Sequence, residues 1–419
     1  MSFSGEPGTS EMSEPLRVIY LHPHFVSDGG AGRMVLETAE RLANRGHDVH
    51  VVCIRADSGI VGHLRNKVRF HEIGGPLSSS LLFWLRFGRS TQAIQKIVDE
   101  IVWSDDERRT VLFPQVFPAN WWGSAVVSRH QELACVWYCH EPSAFIHSNV
   151  WKRSLPWPKN WISMLISPLM KRLDRYYCAR FSKVLVNSEF SRASVCSTYG
   201  YREDLCRTAY LGVDHKRFWP DHRVSRKPWI TVVAKLTRFK NVDVIIKALA
   251  ELVRRGHSQV QMNIVGTGDA MSFLRQTALS AGVADRVEFH GRLSDEAVVQ
   301  LLQQSRVFCL ASSNEPFGLV VVEALACGTP VVAMDSGGPR EVLSNLLCGK
   351  LCPSVDANQI ADAAEHFLNL SDESFHQVSD SATLHALEFS WENASLQIEA
   401  ELMNSVSVRR LERTTAETG

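Results

Sequence analysis

The first half of the chain alternates between short apolar runs and segments with helical periodicity. The apolar runs, which predict strands, cover residues 17–21, 49–54, 68–73, 110–116, 133–139 and 183–187. Between the first two runs, Met34, Val35, Thr38, Ala39 and Leu42 recur at helical spacing, and Gly46 stands where a helix commonly ends. Strands that are apolar throughout predict a parallel sheet with helices on both faces.

The same alternation restarts after a break in the pattern. Residues 214–228 hold two prolines and many charges without any period, which predicts a linker. Further strands are predicted at 229–234, 259–265, 287–290, 307–310 and 330–334, with helices such as 243–255 and 357–370 among them. We therefore expect two doubly wound α/β domains facing each other. Because ligands of such sheets bind beyond the carboxyl ends of the strands, the active site is expected in the cleft between the domains.

The pattern divides the chain into five segments. They are an N-terminus expected to be disordered (1–15), a first Rossmann-like domain (16–215), a linker (216–228), a second Rossmann-like domain (229–389) and a C-terminal helix (390–419). The last helix has no sheet left to join, and crossing back onto the first domain is one placement for it.

Composition narrows the class of protein. The chain has 419 residues with 45 Lys+Arg against 45 Asp+Glu, a balance that argues against a nucleic-acid coat. There is no export signal, no apolar run long enough to span a membrane, and no C-x-x-C among the ten cysteines, so a cytoplasmic protein with buried free thiols is expected. Ten of the 11 tryptophans lie at or before Trp229, which indicates that the two domains bind different things.

The strongest chemical motif is NEPFGLVVVE, from Asn314 to Glu323. Gly318 and Leu319 begin a predicted helix, whose free N–H groups and positive dipole end suit a diphosphate. Glu323 lies roughly 7.5 Å further along the helix axis, where a carboxylate can accept hydrogen bonds from ribose hydroxyls. Glu315, before the turn, would face the sugar.

This motif resembles the E-x7-E signature of glycosyltransferase family 4, the retaining nucleotide-sugar transferases with the GT-B fold. The resemblance covers nearly all of the chain after about residue 17. It also includes DGGA at 28–31, YLGVD at 210–214, the segment 235–240, VGTG at 265–268 and SGG at 336–338. WYCHEP at 137–142 and VLVNS at 184–188 are similar to the mannosyltransferases that build lipid-linked oligosaccharides.

The resemblance assigns the donor phosphates to Lys235 and Lys240. Two cations at a strand end would neutralise the leaving diphosphate, and no D-x-D metal motif occurs in the chain, so no metal ligand is assigned. The family usually has Arg where this chain has Lys235. A point charge there replaces a bidentate fork, and Arg238 is the residue expected to compensate.

Two further residue groups complete the expected site. Gly29 and Gly30, after the first strand, would let the backbone approach the donor; a purely steric turn is the competing interpretation. A dinucleotide fingerprint fails because Val35 stands where the third glycine belongs, which argues against a dehydrogenase. By resemblance, His140 contacts the donor sugar, with a structural loop histidine as the alternative.

Residues 151–183 carry eight Lys/Arg against one Asp, interleaved with tryptophan and tyrosine. This composition is typical of a segment on an anionic membrane surface. A solvated helix with buried tryptophan anchors is the alternative. A lipid-linked acceptor favours peripheral attachment to the cytosolic membrane face.

The sequence therefore predicts transfer of a hexose, mannose above all, from a nucleotide sugar to a hydroxyl of a glycan or lipid-linked acceptor. His140, Glu315 and Lys240 are the expected catalytic residues, and no cofactor is expected to be tightly bound. GDP-mannose is the favoured donor, with UDP- and ADP-sugars as alternatives. The rival functions are a GT-B epimerase or phosphorylase, and a non-catalytic nucleotide-sugar or glycan-binding subunit.

Overall fold

A computed structural model describes residues 14–26, 29–103, 108–149, 152 and 157–417, with side chains described as far as residue 407. Most of the predicted disordered N-terminus, Asp28 of the first glycine motif, and Trp151 and 153–156 of the basic segment lie outside these residues.

Six of the seven strands of the first sheet overlap the predicted apolar runs, and the strand Cys206–Thr208 was not predicted. Its strands in chain order are β1 (Arg17–Leu21), β3 (Asp48–Cys53), β5 (Arg69–Glu72), β6 (Thr110–Pro114), β7 (Ala134–Cys139), β8 (Lys183–Val186) and β9 (Cys206–Thr208), while β2 (His24–Phe25) and β4 (Arg55–Ala56) pair with each other. The sheet order is β5-β3-β1-β6-β7-β8-β9. Val18 of β1 lies opposite Val49 on one side and Val111 on the other, in parallel pairs. Every residue of β1 is buried, as a strand covered on both faces requires.

The second sheet repeats this construction. Its strands are β10 (Lys227–Val233), β11 (Gln261–Val265), β12 (Val287–Gly291), β13 (Ser305–Leu310), β14 (Val331–Met334) and β15 (Gly349–Cys352). The sheet order is β12-β11-β10-β13-β14-β15, with parallel pairs throughout. Two parallel α/β sheets of this kind confirm the predicted fold class, two Rossmann-like domains.

Helices connect the strands and cover the sheets. In the N-terminal part they are α1 (Gly30–Asn44), α2 (Ser58–Val61), α3 (Leu81–Leu85), α4 (Phe87–Val102), α5 (Ala119–Val127), α6 (Ala144–His147), α7 (Lys159–Cys178) and α8 (Glu189–Tyr199). In the C-terminal part they are α9 (Val242–Arg254), α10 (Met271–Ser280), α11 (Asp295–Gln304), α12 (Leu319–Ala326), α13 (Gly337–Leu343), α14 (Ala357–Leu368), α15 (Asp372–Ala386) and α16 (Trp391–Glu417). The predicted stripe of α1, from Met34 to Leu42, is buried, and Gly46 follows the helix with φ of +91°. No helix within the described part of the chain is long and apolar enough to cross a membrane.

Contacts group the chain into two compact units that do not follow sequence order. One unit comprises Met1–Tyr138, Leu165–Lys183 and Glu399–Gly419, and the other comprises Cys139–Met164 and Val184–Ile398. In the first unit, Glu399 of α16 accepts hydrogen bonds from Arg45 (2.6 Å) and His47 (2.7 Å), and Glu401 pairs with Lys183. The C-terminal helix thus supplies carboxylates to residues that flank β3 and begin β8.

Candidate active site

The loop that joins β13 to α12 is held by close backbone contacts. A Cβ on Gly337 would lie 2.2 Å from the carbonyl oxygen of Glu315, and Gly337 has φ of +68°, so only glycine fits there. The N–H of Gly338 donates to that same carbonyl oxygen at 2.8 Å. The motif at 336–338 therefore fixes the backbone of Glu315, a role that sequence reasoning had not given it.

Glu315 and Lys240 form an ion pair. The Lys240 Nζ donates to Glu315 Oε2 at 2.6 Å, with about a quarter of the Lys240 side chain (27%) and less of Glu315 (17%) exposed. Lys240 is placed by a short 3₁₀ turn over 238–240, and the next residue, Asn241, donates from its side chain to the Ala311 carbonyl at 2.9 Å. Two of the predicted catalytic residues are thus in direct contact.

The turn that carries Lys235 rests on the glycine loop at 265–268. A Cβ on Gly266 would lie 1.8 Å from the Ala234 carbonyl oxygen, and one on Gly268 would lie 2.0 Å from that of Leu236. Lys235 is exposed at this turn. The guanidinium of Arg238 lies 3.3 Å from the centre of the Phe273 ring, which is a cation–π contact. One face of the guanidinium is therefore covered by Phe273.

Glu323 occupies a buried position on α12. Only 7% of the residue is exposed, and its neighbours Val321, Val322, Ala324 and Leu325 are fully buried. Burial raises the pKa of Cys327 one turn later, and the charge of Glu323 raises it further. Glu323 is thus an acidic residue at a buried position of an otherwise apolar helix. Its role in binding ribose stays a prediction.

His140 follows β7 and is buried. Its carbonyl oxygen accepts a hydrogen bond from the Ser191 hydroxyl at 3.3 Å. Burial lowers the pKa of His140 to about 3, so the imidazole is neutral at ordinary pH and can donate or accept one hydrogen bond without carrying charge. This electrostatic state suits contact with a neutral sugar hydroxyl.

Glu141 is not among the site residues predicted from the sequence. Its side chain keeps contact with solvent, yet the protein packed around it raises its pKa, as does the charge of Glu315, while Lys240 opposes the shift. Glu141 therefore belongs electrostatically with the Lys240–Glu315 pair. Its position directly after His140 was the available signal.

Hydrogen bonds between distant parts of the sequence join the start of α8 to the loop that carries Glu315. The same end of α8 contacts His140 through Ser191. The Ser188 hydroxyl donates to the Pro316 carbonyl oxygen at 2.5 Å and accepts from the Ser191 N–H at 3.0 Å. The Glu341 carboxylate accepts from the N–H groups of Glu189 (2.9 Å) and Phe190 (2.7 Å) at the start of α8. No local pattern marks Glu341, so sequence reasoning did not find it.

Gly29 and Gly30 lie in the other unit, at the exposed start of α1. Gly29 has φ of −114°, and a Cβ there would meet no protein atom within 4 Å. Neither backbone conformation nor packing requires glycine at Gly29, so the steric-turn interpretation finds no support at that residue.

Family models match adjoining parts of the chain. The model described as "Glycosyltransferase Family 4" matches residues 28–217, and "Glycosyl transferases group 1" matches residues 216–384. Between them, these two glycosyltransferase models match residues 28–384 of the chain. The residues predicted to bind the donor, from Lys235 to Glu323, all fall within the group 1 match.

Curated relatives resemble part of the chain. The D-inositol 3-phosphate glycosyltransferase of Saccharomonospora viridis is 31% identical over 245 residues, or 54% of this chain and 57% of that protein. An uncharacterized glycosyltransferase of Methanocaldococcus jannaschii is 27% identical over 226 residues, or 50% of this chain and 57% of that protein. The chain thus spans just over half the length of these relatives.

Solved structures resemble the whole fold. HepE of Anabaena in complex with UDP-glucose superposes with a TM-score of 0.73 at 20% identity, covering 93% of this chain and 100% of that one. Sucrose-phosphate synthase of Thermosynechococcus elongatus gives a TM-score of 0.70 at 19% identity, covering 96% and 100%. At this identity the likeness is one of fold.

Proposed function

We propose that this glycosyltransferase moves a hexose from a nucleotide sugar to a hydroxyl of a glycan or lipid-linked acceptor, with retention of configuration. The observation that carries the proposal is the Lys240–Glu315 ion pair at 2.6 Å. Its cation is available to a diphosphate, and its carboxylate can accept hydrogen bonds from a sugar. The two family matches support the reaction class.

In this proposal the second Rossmann-like segment binds the donor. Lys240, Lys235 and Arg238 neutralise the diphosphate, and the N-terminal end of α12, at Gly318 and Leu319, adds its free N–H groups. The buried Glu323 accepts hydrogen bonds from the ribose hydroxyls. Glu315 and neutral His140 hold the sugar, and Gly29 and Gly30 allow a close approach of backbone.

The reaction then depends on position and charge. The bond from the anomeric carbon to the phosphate oxygen breaks as the acceptor hydroxyl attacks from the same face, and a phosphate oxygen of the leaving group takes the hydroxyl proton. Negative charge grows on the diphosphate during this step. Fixed cations already at hand stabilise that charge without reorganising, which is the largest electrostatic contribution available to such a site.

The donor and acceptor within these classes are open to direct test. Mannose from GDP-mannose remains the favoured transfer. UDP-glucose is the main competitor, because the structural neighbour HepE is described in complex with it. A lipid-linked saccharide is the favoured acceptor, which implies attachment to a membrane surface. Inositol 3-phosphate is the alternative acceptor, because curated relatives are named for it.

The deciding experiment is a matrix of donors and acceptors. GDP-mannose, UDP-glucose, UDP-galactose and ADP-glucose are each incubated with lipid extract, a soluble glycan or inositol 3-phosphate, and release of nucleotide and transfer of labelled sugar are measured. We expect one donor to give acceptor-dependent release that Lys240→Ala reduces. Nucleotide-sugar binding without turnover would indicate the non-catalytic subunit. Interconversion of the sugar nucleotide would indicate an epimerase, and release of a sugar phosphate would indicate a phosphorylase.

A further inference from the structure

Helix α7 has its polar side inside and its apolar side outside. Asp174 and Cys178 are fully buried, whereas Leu165 is 82% exposed. Four of the large exposed apolar side chains recur at helical spacing along one stripe: Leu165, Leu169, Leu173 and Tyr176. A surface helix of a water-soluble domain shows the opposite arrangement.

Specific hydrogen bonds hold α7 in this orientation. Asp174 Oδ1 accepts from the indole N–H of Trp121 at 2.7 Å and from the side-chain amide of Asn120 at 3.3 Å. Rotating the helix to bury its leucines would remove this carboxylate from two buried donors, which is expensive. The exposed stripe therefore follows from the packing on the other side of the helix.

A second apolar ridge lies on α3. Leu81 and Leu85 are each about three-quarters exposed (77% and 76%), while Phe83 between them is buried. The Phe83 ring contacts Trp122 edge-on at 6.1 Å, and the Ser80 hydroxyl caps the helix by accepting from the Phe83 N–H at 3.3 Å. The aromatic side chains of Phe83 and Trp84 anchor this short helix, and Leu81 and Leu85 stay exposed to solvent.

One aromatic cluster connects the two ridges. The Trp121 ring stacks on Tyr177 of α7 at 4.9 Å and meets Trp84 of α3 at 6.4 Å. All three residues belong to the same compact unit. The leucines of α3 and the stripe of α7 are therefore held on one body.

The two chain segments that carry the ridges have exposed charges of one sign. No acidic residue occurs between Glu72 and Asp99, or between Glu141 and Asp174, and Asp174 is buried. The basic residues beside the ridges are Arg86, Arg89, Lys171, Arg172 and Arg175. Both tryptophans at the start of the α7 segment, Trp157 and Trp161, are exposed, so the alternative of buried tryptophan anchors is wrong for them.

We propose that the α3 ridge and the α7 stripe together form a face that docks on an anionic lipid bilayer. Leucine and aromatic side chains would enter the interface, and the basic residues would meet anionic headgroups. A second copy of the chain fits less well, because a symmetric pairing of this face would oppose like charges. The inference rests on the proposed function only for its purpose, which is to reach an acceptor carried by lipid.

The test measures binding of the full chain to vesicles by flotation at physiological salt. Vesicles of neutral phosphatidylcholine are compared with vesicles that also contain phosphatidylglycerol. Leu165→Gln with Leu169→Gln is expected to weaken binding at least ~10-fold, because two apolar side chains no longer leave water. Arg172→Gln with Arg175→Gln is expected to weaken binding to anionic vesicles ~30-fold, at about 1 kcal/mol per basic residue. Leu384→Gln, at an exposed leucine of α15, is the matched control and should bind as the parent does.

Three results would overturn the proposal. They are no binding of the parent chain to anionic vesicles, equal loss in the Leu384→Gln control, and a dimer in gel filtration that the double leucine variant dissociates. Transfer to a soluble acceptor is measured in parallel and should be unchanged in the double leucine variant. Transfer by a parent chain that does not bind vesicles would reject this proposal alone. Vesicle binding by a parent chain that transfers no sugar would reject the proposed function alone.

Discussion

Helices α12 and α7 are both rich in apolar residues, yet they turn opposite faces to the protein. Helix α12 buries Val321, Val322 and Leu325 together with one carboxylate, Glu323. Helix α7 buries a carboxylate and leaves its leucines in water. Apolar content therefore does not decide which side of a helix is inside. We propose that the partner of each helix decides it. In our proposals α12 meets a nucleotide, and α7 meets a bilayer.

The largest effect should come from placing the same polar side chain in both helices. Val322→Asn should lower the free energy of unfolding by about 4 kcal/mol, because it removes buried apolar surface and buries an amide without partners. Leu169→Asn, on the exposed stripe, should cost only about 0.5 kcal/mol, as a loss of helix propensity. Urea unfolding followed by circular dichroism measures both. Equal losses in the two variants would contradict the contrast.

Replacing the buried carboxylate of α7 should be nearly as damaging. Asp174→Leu should cost about 3 kcal/mol, since the indole N–H of Trp121 and the amide of Asn120 lose their acceptor in the interior. Asp174→Asn keeps an oxygen acceptor and should cost about half as much. Urea unfolding measures both variants. An unchanged free energy of unfolding in Asp174→Leu would mean that the polar face of α7 is not required for stability.

At the α12 end, removing either partner of the ion pair should lower turnover. Lys240→Ala and Glu315→Ala are each expected to reduce kcat at least ~100-fold, as for loss of a preorganised charged contact. Lys247→Ala, at an exposed lysine that pairs with Asp243 on α9, is the matched control and should keep the parent rate. Near-parent rates in Lys240→Ala or Glu315→Ala would remove the basis of the assigned site.

Glu323→Gln should separate binding from chemistry. Loss of a charged acceptor for the ribose hydroxyls should raise KM for the donor ~10-fold and leave kcat within about twofold. Glu288→Gln, at an exposed carboxylate, serves as the control. A fall in kcat with an unchanged KM would instead place Glu323 at the reacting centre.

The smallest expected effect is on the pH dependence of stability. His140 has a folded pKa of about 3, below its unfolded value. Between these two pKa values the unfolded chain binds a proton at His140 and the folded chain does not. The contribution of His140 to stability is complete above pH 6.5 and falls as pH decreases toward 3. His140→Gln should reduce the slope near pH 5 by up to about 1.4 kcal/mol per pH unit, and exposed His63→Gln should leave it unchanged. Urea unfolding at pH 4.5, 5.5 and 6.5 measures this slope.

Periodic patterns predicted most of the fold. Continuous apolar runs gave the parallel strands, and the α1 stripe from Met34 to Leu42 is buried as its spacing implied. Within the site, the sequence paired Glu315 with Lys240 in function, and the structure places them in contact. Ser188 and Glu341 were missed, since their partners lie 128 and 151–152 positions away and no local period records such contacts. The orientation of α7 was also beyond prediction, because it depends on donors from α5.

The C-terminal helix has a consequence for how this protein is made. Glu399 and Glu401 serve Arg45, His47 and Lys183, which a ribosome completes hundreds of residues earlier. When the strands of the first sheet have been synthesised, the nascent chain still lacks the carboxylates of Glu399 and Glu401, which complete that unit. The unit synthesised first is therefore finished last, and its final assembly must wait until translation has reached α16.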